Sequence, residues 1–334
     1  MVFGLGLVCF AVWQAVIWSQ WSQFAVRSWA SALVGNAEMA ATPVISEAIG
    51  RVAGEPAPTV VPYRYRGRTY FARIEVPAAE LRLSRSLPTE FVFASRGPLR
   101  AAYVRVMVGA GQSDPVVSAT CTELRKTRDR LGLDADEYAE LIARFVQQIP
   151  YGVARPRFGT PAAVLADGHA VCADKSVLLA TLLVHEGYDA AVVAIDANNH
   201  AAAGIRGTGP GYLRSGYAYV ETTIDAYIGE IPAEGEGAGP VEARTQIVPV
   251  GGDRRYASDL ESQFVGDTLI RARRVARSLK PYRAYAAKAT GDSKRCFAGM
   301  AERHVEAVQL ASELRLTMDN RARTYALMTR SGGR

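Results

Sequence analysis

The 334-residue sequence predicts an α+β fold: a buried helix packed on an antiparallel sheet, preceded by a hydrophobic helix and followed by a helical extension. Three observations predict it. Gly168 to Gly187, GHAVCADKSVLLATLLVHEG, runs from a loop of small and polar residues into a helix-length apolar stretch that a glycine closes. Asp189 to Asp196, DAAVVAID, is a short continuous apolar run of the kind a buried strand needs. NNHAAAGIRG and YAYVETT then follow on either side of the Gly-rich turn GTGPGYLRSG, so that a helix is succeeded by three strands.

The chain opens on Val2 to Trp18, which holds no charged side chain, and the first charge is Arg27. A run of this length is at the lower edge of a bilayer-spanning helix, and Trp13, Trp18, Trp21 and Trp29 are placed as interfacial residues would be. We read residues 1–30 as a hydrophobic N-terminal helix and a membrane anchor. A signal peptide fits less well because no Lys or Arg precedes the apolar run, and a helix buried on the domain is a third reading. Residues 31–58, rich in Ala, Gly and Pro, read as a linker.

From residue 59 to 250 the texture is that of a folded domain. YRYRGRTYFARIEV predicts a hairpin turning at Gly67 and running through Val76. TEFVFAS and AAYVRVMVG read as two further short strands. Asp114 to Leu131 predicts a polar helix, and Asp134 caps another whose Tyr138, Leu141, Ile142, Phe145, Val146 and Ile149 share one face until Pro150 stops it. Residues 251–334 read as helices broken near Pro281 and Gly291. From Arg254 onward Lys and Arg exceed Asp and Glu about two to one, more than the whole net charge of +6. A basic end fits lipid head groups or nucleic acid, and equally a solvated helix face. The aromatics there are spaced for helix packing rather than for stacking on bases, which argues against nucleic acid.

Cys9, Cys121, Cys172 and Cys296 form neither a CxxC nor a zinc-ligand spacing, so no metal site is expected, and no nucleotide fingerprint implies a cofactor. Of these thiols Cys172 is the one a helix start would activate, through the helix dipole and unpaired N–H groups. Taken alone it reads better as a buried core thiol. Downstream, His200 opens the second strand of the run and Glu221 lies on the third. Nucleophile, base and orienting acid are thus available in order, and adjacent strands about 4.8 Å apart allow His200 and Glu221 to face each other. The N–H of Cys172 is then an oxyanion donor. Asp225 is the substitute acid if Glu221 points away. Asp174 reads as a cap, and Lys175 as solvent-facing or bound to a carboxylate. Cys121 and Cys296 read as buried thiols, or as a disulfide pair if the domain is extracytoplasmic.

The blocks CADKSVLLATLL, HAAAGI and YAYVETT, with IPY before them and IGEIP after, resemble the transglutaminase-like superfamily of papain-like thiol enzymes, over roughly Leu124 to Pro232. The resemblance implies a papain-like core over residues 59–250, with Cys172 as nucleophile, His200 as base and Glu221, where many relatives have Asp, as the orienting acid. It places Tyr151 in the cleft, in an oxyanion or packing role. The pair His169–Ala170 departs from the pattern, since relatives usually carry Gly two residues before the cysteine; His169 is a candidate to contact substrate or tune the thiol. The expected reaction is attack on a peptide or carboxamide carbonyl of a protein or peptide substrate, with hydrolysis favoured over amine transfer and no cofactor. The competing expectation is a membrane-anchored binding or scaffolding protein that keeps the fold without turnover. The expected location is at a membrane, on a side the sequence leaves open.

Overall fold

The computed structural model describes residues 59–86, 97–152, 159–196, 199–231, 245–258, 281 and 283–316. Helix and sheet are mixed, in the α+β manner. The hydrophobic segment 2–18, the linker and the strand candidate TEFVFAS lie outside the described residues. Among the described residues no helix is long and apolar enough to cross a membrane.

Strands β1 (Thr59–Tyr65) and β2 (Arg68–Ile74) form an antiparallel hairpin. Its turn places Arg66 at φ 50° and Gly67 at φ 72°, the left-handed pair that a tight two-residue hairpin requires. Alternate side chains point inward, and Tyr63, Tyr65, Tyr70, Ala72 and Ile74 are buried. Helix α1 (Ala78–Ser86) follows, and then α2 (Gly97–Gln112).

Helix α2 corrects the reading of AAYVRVMVG as a strand. The alternation Val104, Val106, Val108 imitates a period of two, yet the buried positions are Arg100, Val104, Val108 and Gly111, a helical spacing. Packing against a neighbouring helix decides the matter over local β-propensity.

Helix α3 (Pro115–Leu131) starts where Asp114 accepts a hydrogen bond from the Val116 N–H at 2.8 Å. Helix α4 (Ala135–Gln147) carries a reciprocal capping box between Asp134 and Glu137. Helix α5 (Pro161–Asp167) begins at the Thr160 cap and ends at Gly168, φ 69°. The central helix α6 (Cys172–His185) is buried without a break from Ala173 to Leu183, the mark of a helix covered on all sides. It packs on β3 and β4 across one face and on α2, α4, α5 and α3 elsewhere.

The sheet has the order β5-β4-β3-β6, antiparallel throughout: β3 (Ala190–Ile195), β4 (His200–Arg206), β5 (Tyr217–Val220) and β6 (Thr245–Gly251). The sequence did not announce β6, since Pro249 and flanking glycines break its pattern. As an edge strand it tolerates the proline, whose carbonyl accepts from Arg105 Nε at 3.1 Å. Beyond the sheet, residues 283–288 are helical and α7 (Gly291–Leu316) follows, with Tyr285 and Phe297 rings 5.5 Å apart.

Candidate active site

Cys172 is the first residue of α6, held there by its neighbours in sequence. Asp174 accepts from the Val171 N–H at 3.4 Å and from the Gly159 N–H at 2.7 Å, tying the helix start to the loop before α5. That is the capping role expected of it. Ahead of the helix, Tyr151 and Ala170 form a parallel bridge. The Ala170 N–H donates to Pro150 O at 3.1 Å and the Gly152 N–H to Ala170 O at 3.2 Å. Two backbone segments are thereby fixed side by side, and the Tyr151 hydroxyl comes within hydrogen-bond reach of both the thiol and the backbone N–H of Cys172.

His200 begins β4 directly opposite Ile195, at the end of the β3–β4 hairpin. Arg100, itself 2 % exposed, reaches Asp196 at 2.8 Å and secures the turn that carries the histidine. Glu221 follows β5 immediately. His200 Nε2 and Glu221 Oε2 are 3.0 Å apart, and the same imidazole is within hydrogen-bond reach of the Cys172 thiol. With Nε2 turned to the carboxylate, Nδ1 is the nitrogen left for sulfur.

The electrostatics follow from this chain of three. Burial alone would raise the Cys172 pKa, but the His200 hydrogen bond and charge, with the N–H groups of Ala201 and Ala173, bring it below the ordinary thiol value. Burial would lower His200, yet the thiol and carboxylate on its two sides lift it to about 9. Burial would raise Glu221, which is 1 % exposed, yet His200 and Thr223 hold it at about 2. One carboxylate oxygen accepts from the N–H groups of Thr222 and Thr223, both at 2.9 Å, and from Thr223 Oγ1 at 2.7 Å. The other accepts from the Tyr219 hydroxyl at 2.9 Å and from the imidazole. The arrangement favours thiolate beside imidazolium.

The remaining candidates are sorted by the same geometry. Asp225 is turned outward and pairs with Arg144 at 2.7 Å, while Glu221 is the carboxylate that faces the imidazole. His169 Nδ1 donates to the Asp167 carbonyl at 2.7 Å, closing the end of α5. Cys121 is buried and Cys296 is exposed, both as free thiols, which corrects the reading of Cys296 as buried.

Lys175 is neither solvent-facing nor bound to a carboxylate. It is fully buried, and its Nζ donates to Gln147 O at 3.0 Å and Ile149 O at 2.7 Å. Gln147 Nε2 in turn donates to Glu221 O at 3.0 Å and Ala226 O at 2.9 Å. The helix that begins at Cys172, the segment bearing Tyr151 and the loop after Glu221 are thus joined by Lys175, whose place the sequence reading had wrong, and by Gln147, which it passed over. For Lys175 the signal was a single lysine next to the apolar run of its helix. Tyr219, Thr222 and Thr223 were also missed, although donors two before and one and two after Glu221 are legible in YAYVETT.

As to ligands, Cys121, His185 and Glu186 bring one ligand atom each within 4.8 Å of the others. Arg125 already spans both Glu186 oxygens, at 3.2 and 2.8 Å, so that cluster is built as an ion pair rather than a metal cage. No protein-family model, curated protein or solved structure matches the chain.

Proposed function

We propose that the chain is a thiol-dependent acyl-transfer enzyme of the transglutaminase-like, papain-like kind, acting on peptide or carboxamide carbonyls through Cys172, His200 and Glu221. The observation that carries the reading is the single imidazole of His200 placed between the thiol and a fully buried, fivefold hydrogen-bonded carboxylate. Cys172 sulfur attacks the carbonyl carbon, and the oxyanion is met by the Cys172 N–H at the helix start. His200 then gives its proton to the departing amine or ammonia, leaving a thioester. Water, deprotonated by the same imidazole, resolves it, and the thiol is regenerated. Glu221 keeps the ring oriented and balances its charge throughout.

The Tyr151 hydroxyl is a neighbour of the Cys172 N–H, so an incoming carbonyl oxygen would compete with it for that donor. The tyrosine is 58 % exposed and has room to turn. A non-catalytic scaffold would have no need to hold thiol and imidazole within hydrogen-bond reach, and that proximity favours the enzyme. We favour hydrolysis over amine transfer, on the resemblance alone.

The test is to incubate the full chain with a mixture of peptide amides and glutamine-containing peptides, with and without hydroxylamine. Free acid alone supports hydrolysis through a thioester that water resolves. Hydroxamate formed by wild type and absent from Cys172→Ala supports the thioester and reports acceptor access. Product formed equally by Cys172→Ala would remove the thiol from the mechanism.

A further inference from the structure

Between β2 and α3 lies a cleft of about 540 Å³, lined by Arg68, Thr69, Tyr70, Phe71, Arg73, Glu123, Lys126, Thr127, Arg130 and Leu131. None of the candidate catalytic residues lines it. Four cationic side chains stand there against one carboxylate, and Glu123 is already engaged by Lys126 and by the Arg73 N–H. Among the described residues Arg68, Arg73 and Arg130 have no carboxylate within ion-pair distance.

The ladder of the hairpin shows what else faces this cleft. In an antiparallel pair, successive residues direct their N–H and C=O groups alternately toward and away from the partner strand. The Arg73 N–H points away from β1, because it reaches Glu123 Oε2 at 3.1 Å on α3. Phe71 and Thr69, two and four residues earlier, therefore point the same way. Their partners agree: Phe71 is opposite Pro62, which has no N–H to give, and Thr69 is opposite Arg64, whose N–H and C=O turn outward to the Gln148 side chain at 2.7 and 2.9 Å. Gln148 thus caps the outer edge of β1 at Arg64. Among the described residues no strand pairs with the outer edge of β2, and by this alternation the Thr69 and Phe71 backbone groups are directed at the cleft, beside a Phe71 ring that is 59 % exposed.

An unpaired strand edge takes another strand, and its flanking side chains choose which. We propose that the cleft is a docking site for an extended acidic peptide segment, which adds to the edge of β2 while Arg68, Arg73, Lys126 and Arg130 receive its carboxylates. Glu123 on the Arg73 N–H is an internal example of the contact: a carboxylate meeting an outward N–H of this edge. Guanidinium groups suit the task because their planar fork matches a carboxylate. The volume is that of a site for a few residues rather than a whole protein face.

The test uses the full chain carrying Cys172→Ala, so that the probe is not consumed, and a short fluorescein-labelled peptide of alternating glutamate and valine. Fluorescence anisotropy should show it binding at least about tenfold tighter than its glutamine–valine counterpart, with Arg68→Glu/Arg130→Glu abolishing the difference. Thr69→Pro removes an outward N–H without touching the β1 ladder, and it should weaken binding about tenfold with Tm unchanged. If that variant loses its fold, N-methylation of alternate peptide bonds in the probe replaces it and should weaken binding likewise. Equal binding of the glutamate and glutamine peptides overturns the proposal. So does binding that inorganic tripolyphosphate abolishes while Thr69→Pro and the N-methylated probe bind normally, since that describes a plain anion patch. Binding to vesicles of anionic lipid with no binding to the peptide overturns it too.

Discussion

At the scale of single residues, the site is a contest between burial and hydrogen bonding, and hydrogen bonding prevails at all three members. Burial opposes charge on sulfur, imidazole and carboxylate alike, yet each is shifted toward its charged form by the next member in line. Rate should therefore rise with pH as the thiol ionises below its ordinary range and fall as His200 deprotonates near 9, a bell read from kcat/KM against pH. Glu221→Gln keeps the shape but removes the charge. It should lower kcat/KM by about 10²-fold or more and move the alkaline limb to lower pH; an unmoved limb would contradict the role given to Glu221. Linkage carries the same shifts into stability. His200, raised from 6.5 to about 9, contributes fully below pH 6.5 and loses its contribution as pH rises through 9. Glu221, lowered from 4.5 to about 2, contributes above pH 4.5 and loses its contribution as pH falls toward 2. Urea midpoints of wild type and His200→Ala, compared from pH 5 to pH 10, should converge at the alkaline end.

At the scale of elements, what matters is how three separate pieces of backbone are kept in register. Lys175 grips the carbonyls that end α4, and Gln147 grips those beyond β5. Lys175→Met preserves the shape while leaving two buried carbonyls without their donor, and it should cost about 2–3 kcal/mol in urea denaturation. Because those carbonyls lie just before Tyr151, and the Gln147 side chain holds the loop after Glu221, labelling of Cys172 should slow as well; full stability with full labelling would make the clamp decorative. The elements also show what local pattern can convey. The hairpin at Gly67, the two helices capped by Asp114 and Asp134, and the helix–strand–strand–strand order around Cys172 were legible, because each rests on a turn, a cap or a period. Helix α2 was misread because its valines alternate, and β6 was missed because its place is fixed by pairing with β3, far away in sequence. Within the site, the types and order of Cys172, His200 and Glu221 could be read from the residues. The burial of Lys175 could not, since it depends on which carbonyls the fold brings to it.

At the scale of the whole molecule, the elements around Cys172 and the described C-terminal helix are distinct in character. Helix α6 is buried throughout most of its length, whereas α7 is exposed over most of its described residues and contributes no extensive packing to the sheet or to α6. Ending the chain after residue 280 should therefore leave the rate of Cys172 labelling within about twofold, with Tm little changed. A tenfold rise on truncation would instead make the extension a cover for the cleft. The chain also carries its own control for reactivity. Cys296 lies exposed on α7 and Cys121 is buried in α3, where burial and Glu186 push its thiol upward. The most direct measurement is accordingly the rate of carbamidomethylation of each cysteine, followed peptide by peptide by mass spectrometry between pH 5 and pH 9. The thiolate–imidazolium account predicts that Cys172 reacts at mildly acidic pH where Cys296 does not, that Cys121 stays unmodified, and that His200→Ala abolishes the advantage of Cys172. Cys172 reacting no faster than Cys296 in acid, or keeping its advantage without His200, would contradict it.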